Sequence, residues 1–364
     1  MTDEEGRGTS ADGLTGEARQ RRPGDEEGRG TSADGLTGEA RQRRPGDEEG
    51  PELVTVGRIS VDLYGEQLGA GWDEVSTFSK AVGGSPTNVA VAAARLGRRV
   101  AVLTKVGDDP LGGYVRRRLE ALGVDTRWVG VDAELPTPLA LAVTAPPDDP
   151  ELLFYRWPSA PDLQLSAADL DDAVVTGVRA LWVTATGLSA EPSRGAHLTW
   201  LAARGRRAHT ILDLDYRPTF WPDEAAAHEQ IAAALPHVTV AVGNRTECRV
   251  AVGSEDADEA ADRLLELGVR IAVVKQGAGG VLVATAAERA TVPPLPVDVV
   301  CGLGAGDGFG GALAHGLLAG WEPDRAVAYA NAAGAIVASR LLCSDAMPTV
   351  AEIDGLLEGR KVRT

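Results

Sequence analysis

The chain has 364 residues, 44% of them hydrophobic, and carries 53 acidic against 36 basic side chains for a formal charge of −17. That length admits one large α/β domain or two smaller ones with a substantial core, and the acidic balance argues against nucleic acid or an anionic membrane surface as the main partner. No apolar run reaches the length of a membrane span or a signal-peptide core, and Cys248, Cys301 and Cys343 are odd in number and lack zinc spacing, so a soluble cytoplasmic protein with free thiols is expected.

Residues 3–24 recur unchanged as 25–46, and a third copy starts at Asp47. A 22-residue unit whose one large apolar side chain is a leucine (Leu14, Leu36) cannot bury a core. Residues 1–50 therefore read as a disordered tail and 51–364 as the folded body. With 13 acids against 8 arginines, the tail accounts for five of the excess negative charges and leaves the body acidic too. The body opens with L-V-T-V-G at 53–57, a short buried strand, and Asp62 follows just past its C-terminal end, where ligands of open α/β sheets collect. There it reads either as an acceptor for ligand hydroxyls or as a surface loop acid. In A-V-G-G-S-P-T-N-V-A-V-A-A-A-R-L-G, residues 81–97, Ser85 and Pro86 start a helix and Val89, Ala92, Ala93 and Leu96 supply its apolar face. Gly83 and Gly84 ahead of that helix would let a ligand lie against backbone, within reach of the Asn88 amide.

From there the chain alternates, with strands expected at 100–105, 180–184, 210–213, 238–242 and 270–275 and helices at 111–122, 191–204, 223–235 and 257–267. This order predicts an α/β fold with a central, mostly parallel sheet and helices on both faces. Two stretches, 64–80 and 139–157, break the alternation, and the second reads as a hairpin turning at 146–150. Arg156 at its end is either a bidentate partner for a carboxylate or an exposed strand arginine. The segment I-L-D-L-D-Y-R at 211–217 groups Asp213, Asp215 and Arg217, which could face a ligand or simply pair with one another.

The run V-D-V-V-C-G-L-G-A-G-D-G-F-G-G at 297–311 reads as strand, glycine turn and helix start. Unpartnered helix-start amides and the helix dipole make Gly304, Ala305 and Gly306 a candidate cradle for a phosphate. Asp307 in the same turn could take a proton from an attacking hydroxyl, or merely cap the helix. The G-x-G-x-x-G of 306, 308 and 311 is discounted as a dinucleotide fingerprint, because no βαβ unit follows and an acid within the turn repels a pyrophosphate. No Walker A pattern occurs.

The G-A-G-D turn resembles the second signature of the ribokinase-like (PfkB) carbohydrate kinases, and G-G-S-P-T-N at 83–88 resembles the first; G-D-D-P-L-G at 107–112 also resembles a turn of that family. The resemblance implies a ribokinase-like fold in which 64–80 and 139–157 form a small β lid that excludes water from the reaction. It implies an ATP-dependent kinase acting on a primary hydroxyl, with Asp307 as base and Gly304, Ala305 and Gly306 stabilising the phosphoryl group in transfer. Asp62, Gly83, Gly84 and Asn88 would hold the sugar, with Arg156 and Arg217 available to a sugar carboxylate. N-R-T-E at 244–247 matches the family's N-x-x-E, assigning Asn244 and Glu247 to the nucleotide, with Glu247 organising Mg²⁺ through water. Lys275 and Gly277 of K-Q-G would line the nucleotide segment, and Asn331 and Ala335 would wall the adenine pocket. A K⁺ ion near the G-A-G-D turn occurs in relatives, although no ligand set for it is legible, and a homodimer is left open. D-L-D-Y-R-P at 213–218, R-I-S-V-D-L-Y-G at 58–65 and C-S-D-A-M-P-T at 343–349 resemble the members that act on the sugar acid 5-dehydro-2-deoxygluconate in inositol breakdown. Two departures stand out: Asp215 where ketodeoxy-acid kinases carry asparagine, and Gly308 where alanine is usual. The alternatives are a kinase for another ketodeoxy-acid, a ketohexose or a nucleoside, and a catalytically silent sugar-binding regulator.

Overall fold

The structure, a computed structural model, describes residues 50–361. The repeat-bearing tail, apart from Gly50, lies outside these residues. The strands are β1 (Leu53–Val56), β2 (Ser60–Gly65), β3 (Phe78–Gly83), β4 (Val100–Gly107), β5 (Asp125–Asp132), β6 (Leu139–Val143), β7 (Glu151–Tyr155), β8 (Ala180–Thr184), β9 (Thr210–Asp213), β10 (Val240–Asn244), β11 (Ile271–Lys275), β12 (Val281–Ala284) and β13 (Arg289–Val292). The helices are α1 (Ser85–Arg95), α2 (Pro110–Ala121), α3 (Asp172–Gly177), α4 (Ser193–Arg204), α5 (Glu224–Ala234), α6 (Arg245–Val252), α7 (Ala257–Glu266), α8 (Ala305–Leu318), α9 (Pro323–Ala338) and α10 (Val350–Lys361).

The large sheet runs β13-β12-β11-β10-β9-β8-β1-β4-β5, parallel from β11 through β5 and antiparallel at its β12 and β13 edge. Strand alternation sorts its apolar side chains between two cores. Leu53, Ala180 and Trp182 pack with α1, α8 and α9 on one face, while Val54, Leu181 and Val183 pack with α4 to α7 on the other. Both faces are covered, as the continuous apolar runs predict. Because these strands are parallel, their C-terminal ends share one edge, and Asp213, Asn244 and Lys275 are the last residues of β9, β10 and β11.

The second sheet, β3-β2-β6-β7, is the lid. It is wider than the expected segments, since β2 begins at Ser60 and β3 runs to Gly83. Asp62 therefore lies inside a lid strand, not in a loop beyond β1. A second difference concerns 297–300, which forms no strand. Val299 is 40% exposed, and the amides of Val300 and Cys301 both donate to Ala338 O at the end of α9, at 2.9 and 3.1 Å. β-branched residues favour a pleated surface only where a neighbouring strand exists to pair with, and here the helix terminus takes the donors instead.

α1 and α8 cross almost in backbone contact. A Cβ added at Gly311 would lie 2.3 Å from Ala92 Cβ and 2.9 Å from Val89 O, and one at Gly310 would lie 2.8 Å from Trp182 Cη2. At Gly308, where alanine was the family expectation, Val337 Cγ2 occupies the space, 2.7 Å from such a Cβ. Gly311→Ala is expected to force the helices apart and lower the unfolding free energy by about 1–3 kcal/mol, the usual cost of overpacking. Urea denaturation of the two proteins measures it; an unchanged midpoint would show that the crossing has slack.

Candidate active site

Between the inner face of the lid and the C-terminal edge of the large sheet lies a cavity of about 440 Å³. Its roof follows from register: Asp62 pairs with Ala140, which pairs with Phe154, so the three form a row on one face, and all line the cavity. Asp62 is held by Ser60 Oγ, which donates to Oδ1 at 2.6 Å, and by the Tyr64 hydroxyl, which donates to Oδ2 at 3.2 Å. Burial pushes the Asp62 carboxyl above its usual range, against the pull of the Ser60 hydroxyl and Arg58.

The floor is the G-A-G-D turn. Gly304 precedes α8 with φ 82°, a left-handed conformation, and a Cβ there would sit 2.4 Å from Cys343 Sγ, so backbone and packing both demand glycine. The amide of Ala305 donates to Gly302 O at 3.3 Å. Those of Gly306 and Asp307 have no acceptor among the described residues, which moves the open end of the cradle one residue along from Ala305. Asn88 Nδ2 donates to Asp307 Oδ2 at 2.8 Å, joining the two glycine-rich segments, while Asn88 Oδ1 is buried without a partner among the described residues. Burial raises the Asp307 pKa, opposed by the Ser85 hydroxyl and the Asn88 amide. Lys275 Nζ lies 3.4 Å from where a Cβ of Gly306 would be and 3.9 Å from Glu247 Oε2. A carboxylate, two open amides and an ammonium thus surround one point. Such a group can take a proton from a hydroxyl while stabilising anionic oxygens.

Most of the expected site residues gather here: Asp62, Gly84, Asn88, Arg217, Asn244, Glu247, Lys275, Gly277, Gly304, Ala305, Gly306 and Asp307 all line the cavity, and Gly83 lies against the Asp62 carboxylate. Asn244 and Glu247 form a reciprocal cap on α6, with Asn244 N donating to Glu247 Oε2 at 2.6 Å and Glu247 N to Asn244 Oδ1 at 2.8 Å. Three of the expected residues lie outside this cavity. Arg156 gives its terminal nitrogens to Asp162, at 2.5 and 3.1 Å, and does not line the cavity. Asn331 donates to Pro293 O at 3.0 Å, and neither it nor Ala335 reaches the cavity.

Arg58, which no sequence argument had singled out beyond its place in R-I-S-V-D-L-Y-G, does line the cavity. Its Nε lies 3.4 Å from Asp215 Oδ2, and Arg217 Nε lies 3.1 Å from Oδ1, off the line of a hydrogen bond. Burial alone would raise Asp215, but Arg58 and Arg217 outweigh it and hold the carboxyl below its usual range. Its neighbour Asp213 goes the other way, pushed up to about 8 by burial and by the charges of Asp215, Glu247 and Asp307, with Lys275 opposing.

Residues 51–350 match the pfkB family carbohydrate kinase. The chain belongs to that family. It is 33% identical over 318 residues to the 5-dehydro-2-deoxygluconokinase of Geobacillus kaustophilus, covering 84% of this chain and 93% of that protein. It is 32% identical over 324 residues to the protein of the same name from Clostridium tetani, covering 85% and 94%. Among solved structures, a PfkB protein from Polaromonas sp. JS666 aligns with TM-score 0.73 and 27% identity over 84% of this chain and 99% of that one. The aminoimidazole riboside kinase of Salmonella enterica, complexed with aminoimidazole riboside and an ATP analogue, aligns with TM-score 0.70 and 26% identity, with the same coverage. A fructokinase double mutant from Vibrio cholerae, bound to fructose, ADP and potassium ion, aligns with TM-score 0.74 and 26% identity over 84% and 97%. The ribokinase-like fold and the carbohydrate kinase class expected from the two signatures are therefore borne out. No helix among the described residues is long and apolar enough to cross a membrane.

Asp213 gives this PfkB chain a pH signature. With its pKa raised from the unfolded value near 3.8 to about 8, the folded state binds the proton more tightly, so its contribution to stability is full below about pH 4 and is lost as pH rises towards 8. Asp213→Asn should gain melting temperature relative to the parent as pH is raised from about 6 to about 9. A difference in melting temperature that is flat across that range would place the folded-state Asp213 pKa below it.

Proposed function

We propose that this chain is an ATP-dependent kinase that phosphorylates the primary hydroxyl of a sugar acid, 5-dehydro-2-deoxygluconate. The observation that carries the reading is the 2.8 Å hydrogen bond from Asn88 to Asp307, which sets a sugar-side amide and a carboxylate against two open helix-start amides. The recurrence of one enzyme name among relatives at 30% to 33% identity supports the choice of acid.

In the mechanism, Asp62 on the lid accepts hydrogen bonds from substrate hydroxyls, and Asn88 orients both the sugar and Asp307. An Asp307 carboxylate oxygen takes the proton of the attacking hydroxyl as the hydroxyl oxygen bonds to the γ-phosphorus of ATP and the bond from that phosphorus to the bridging oxygen breaks, releasing ADP. The amides of Gly306 and Asp307, aided by the α8 dipole, stabilise the equatorial oxygens of the phosphoryl group in flight. Lys275 holds the phosphate chain, with Asn244 and Gly277 at the nucleotide end. The residues fit magnesium held through water, because Mg²⁺ takes few protein ligands and Glu247 borders the cavity beside Lys275. When bound, the ion neutralises phosphate charge. The lid strands β2, β6 and β7 keep water from the transfer.

Asp307→Asn keeps the side chain's shape and removes the base, so turnover should fall by about 10²- to 10⁴-fold with nucleotide affinity little changed. Retention of more than about a tenth of parental turnover would sink the assignment. Because a base acts ionised and burial raises this one, turnover of the parent should decline with falling pH about a midpoint above the ordinary aspartate value of 3.8. A pH profile whose acid limb lies at or below that value would show that the Asp307 carboxyl is not held above its usual range during turnover.

A further inference from the structure

Three basic side chains line the cavity, and they serve two different ends of it. Lys275 stands by Glu247 and the G-A-G-D turn. Arg58 and Arg217 instead share one carboxylate, each approaching a different oxygen of Asp215 through Nε, at 3.4 and 3.1 Å. Asp215 is 3% exposed and also receives the Thr186 hydroxyl at 3.2 Å. Among the described residues, Nη1 and Nη2 of both arginines have no hydrogen-bond partner, and Arg217 Nε is buried without one. Two guanidinium groups on one carboxylate leave a net charge of about +1 and four unused terminal nitrogens in a forked arrangement.

Arg58 is also firmly placed. It follows β1, the Thr87 hydroxyl donates to its carbonyl at 3.2 Å, and its Cζ lies 5.9 Å from the centre of the Phe220 ring. Thr87 precedes Asn88 on α1, so Arg58 is tied to the helix that meets Asp307. The other charged groups on the lid side, Asp62, Asp148 and Asp149, are acidic and would repel an anionic sugar. Arg156, the other arginine near the lid, is held through both terminal nitrogens by Asp162, which is 1% exposed and also accepts from Ile59 N at 2.9 Å.

We infer that Arg58, together with Arg217, seats the carboxylate of the sugar acid, and that Asp215 is the positioning residue that spreads the two guanidinium groups to receive it. This rests on the sugar-acid reading above. It gives Asp215 a purpose that asparagine could not serve: a neutral amide offers no ionic hold on either arginine, and the depressed Asp215 pKa keeps the anchor charged.

The test compares 5-dehydro-2-deoxygluconate with its neutral primary amide, which differs from the acid in charge at one group. The parent should prefer the acid in kcat/KM, and Arg58→Ala should lower kcat/KM for the acid by about 10- to 100-fold, mainly through KM, while changing the amide by less than about threefold. Asp215→Asn should shrink the same acid-to-amide ratio, and Arg58→Lys should restore part of it, since a point charge replaces a fork. A purely structural role for Arg58 would lower both substrates alike and leave the ratio unchanged, which would overturn the inference while the sugar-acid reading stood. If the parent turns over the acid no better than its amide, the seat is absent. If the parent fails on the acid but phosphorylates a neutral sugar, the substrate reading itself falls, and the inference with it.

Discussion

Two helices that cross almost in backbone contact hold this site together. α1 and α8 come from opposite ends of the chain, and the bare Cα of Gly311 against Ala92 lets them close to a distance that any larger side chain would forbid. Asn88 rides on one helix and Asp307 on the other, and each lies within its helix's first turn. Their hydrogen bond is therefore set by rigid elements and not by loops, which is the economical way to fix the spacing of two side chains. The same crossing explains the small-residue character of α1: A-V-A-A-A-R is a surface cut for a neighbouring backbone.

Charge is the second organising feature. Within one cavity stand Asp62, Asp213, Asp215, Glu247 and Asp307 against Arg58, Arg217 and Lys275, so full ionisation would leave an excess of negative charge where anionic ligands must enter. The protein resolves this by dividing its carboxylates. Asp215 is kept ionised by two arginines, whereas Asp213 and Asp307, buried without such a pair, hold protons more readily. The cavity accordingly has a cationic side near Arg58 and a cationic corner near Lys275, with a titratable stretch between them.

Much of this was legible in the residues. The strand and helix order, both glycine segments and the N-R-T-E cap could be read because each is a local pattern with a local cause: periodicity, a positive φ, a reciprocal hydrogen bond. What could not be read was which side chains and strands pair. Arg156 and Arg58 are both arginines near the edge of the lid, and nothing local reveals that Asp162 would consume the first and Asp215 hold the second through Nε. The run V-D-V-V has strand composition but no neighbouring strand, since Ala338 O intercepts its amides. Asn331 faces Pro293 because α9 packs behind α8, a matter of helix rotation that a small-residue stripe does not specify. Asp62 was identified as a site residue from its nearness to β1, but its place on a lid strand depends on β2 pairing with β6, more than seventy residues away.

Cys343 carries a consequence for how the protein comes into being. Its sulfur lies 2.7 Å from the Tyr64 hydroxyl, across 279 residues of chain, and also walls the Gly304 turn. Asp62, steadied by that same tyrosine, leaves the ribosome well before Cys343. The central strand β1 likewise waits for β8 before it is flanked on both sides. A growing chain can thus acquire much of its sheet while the wall of its G-A-G-D turn is still missing. A chain that ends before Cys343 lacks both the sulfur beside the Tyr64 hydroxyl and the packing against the Gly304 turn.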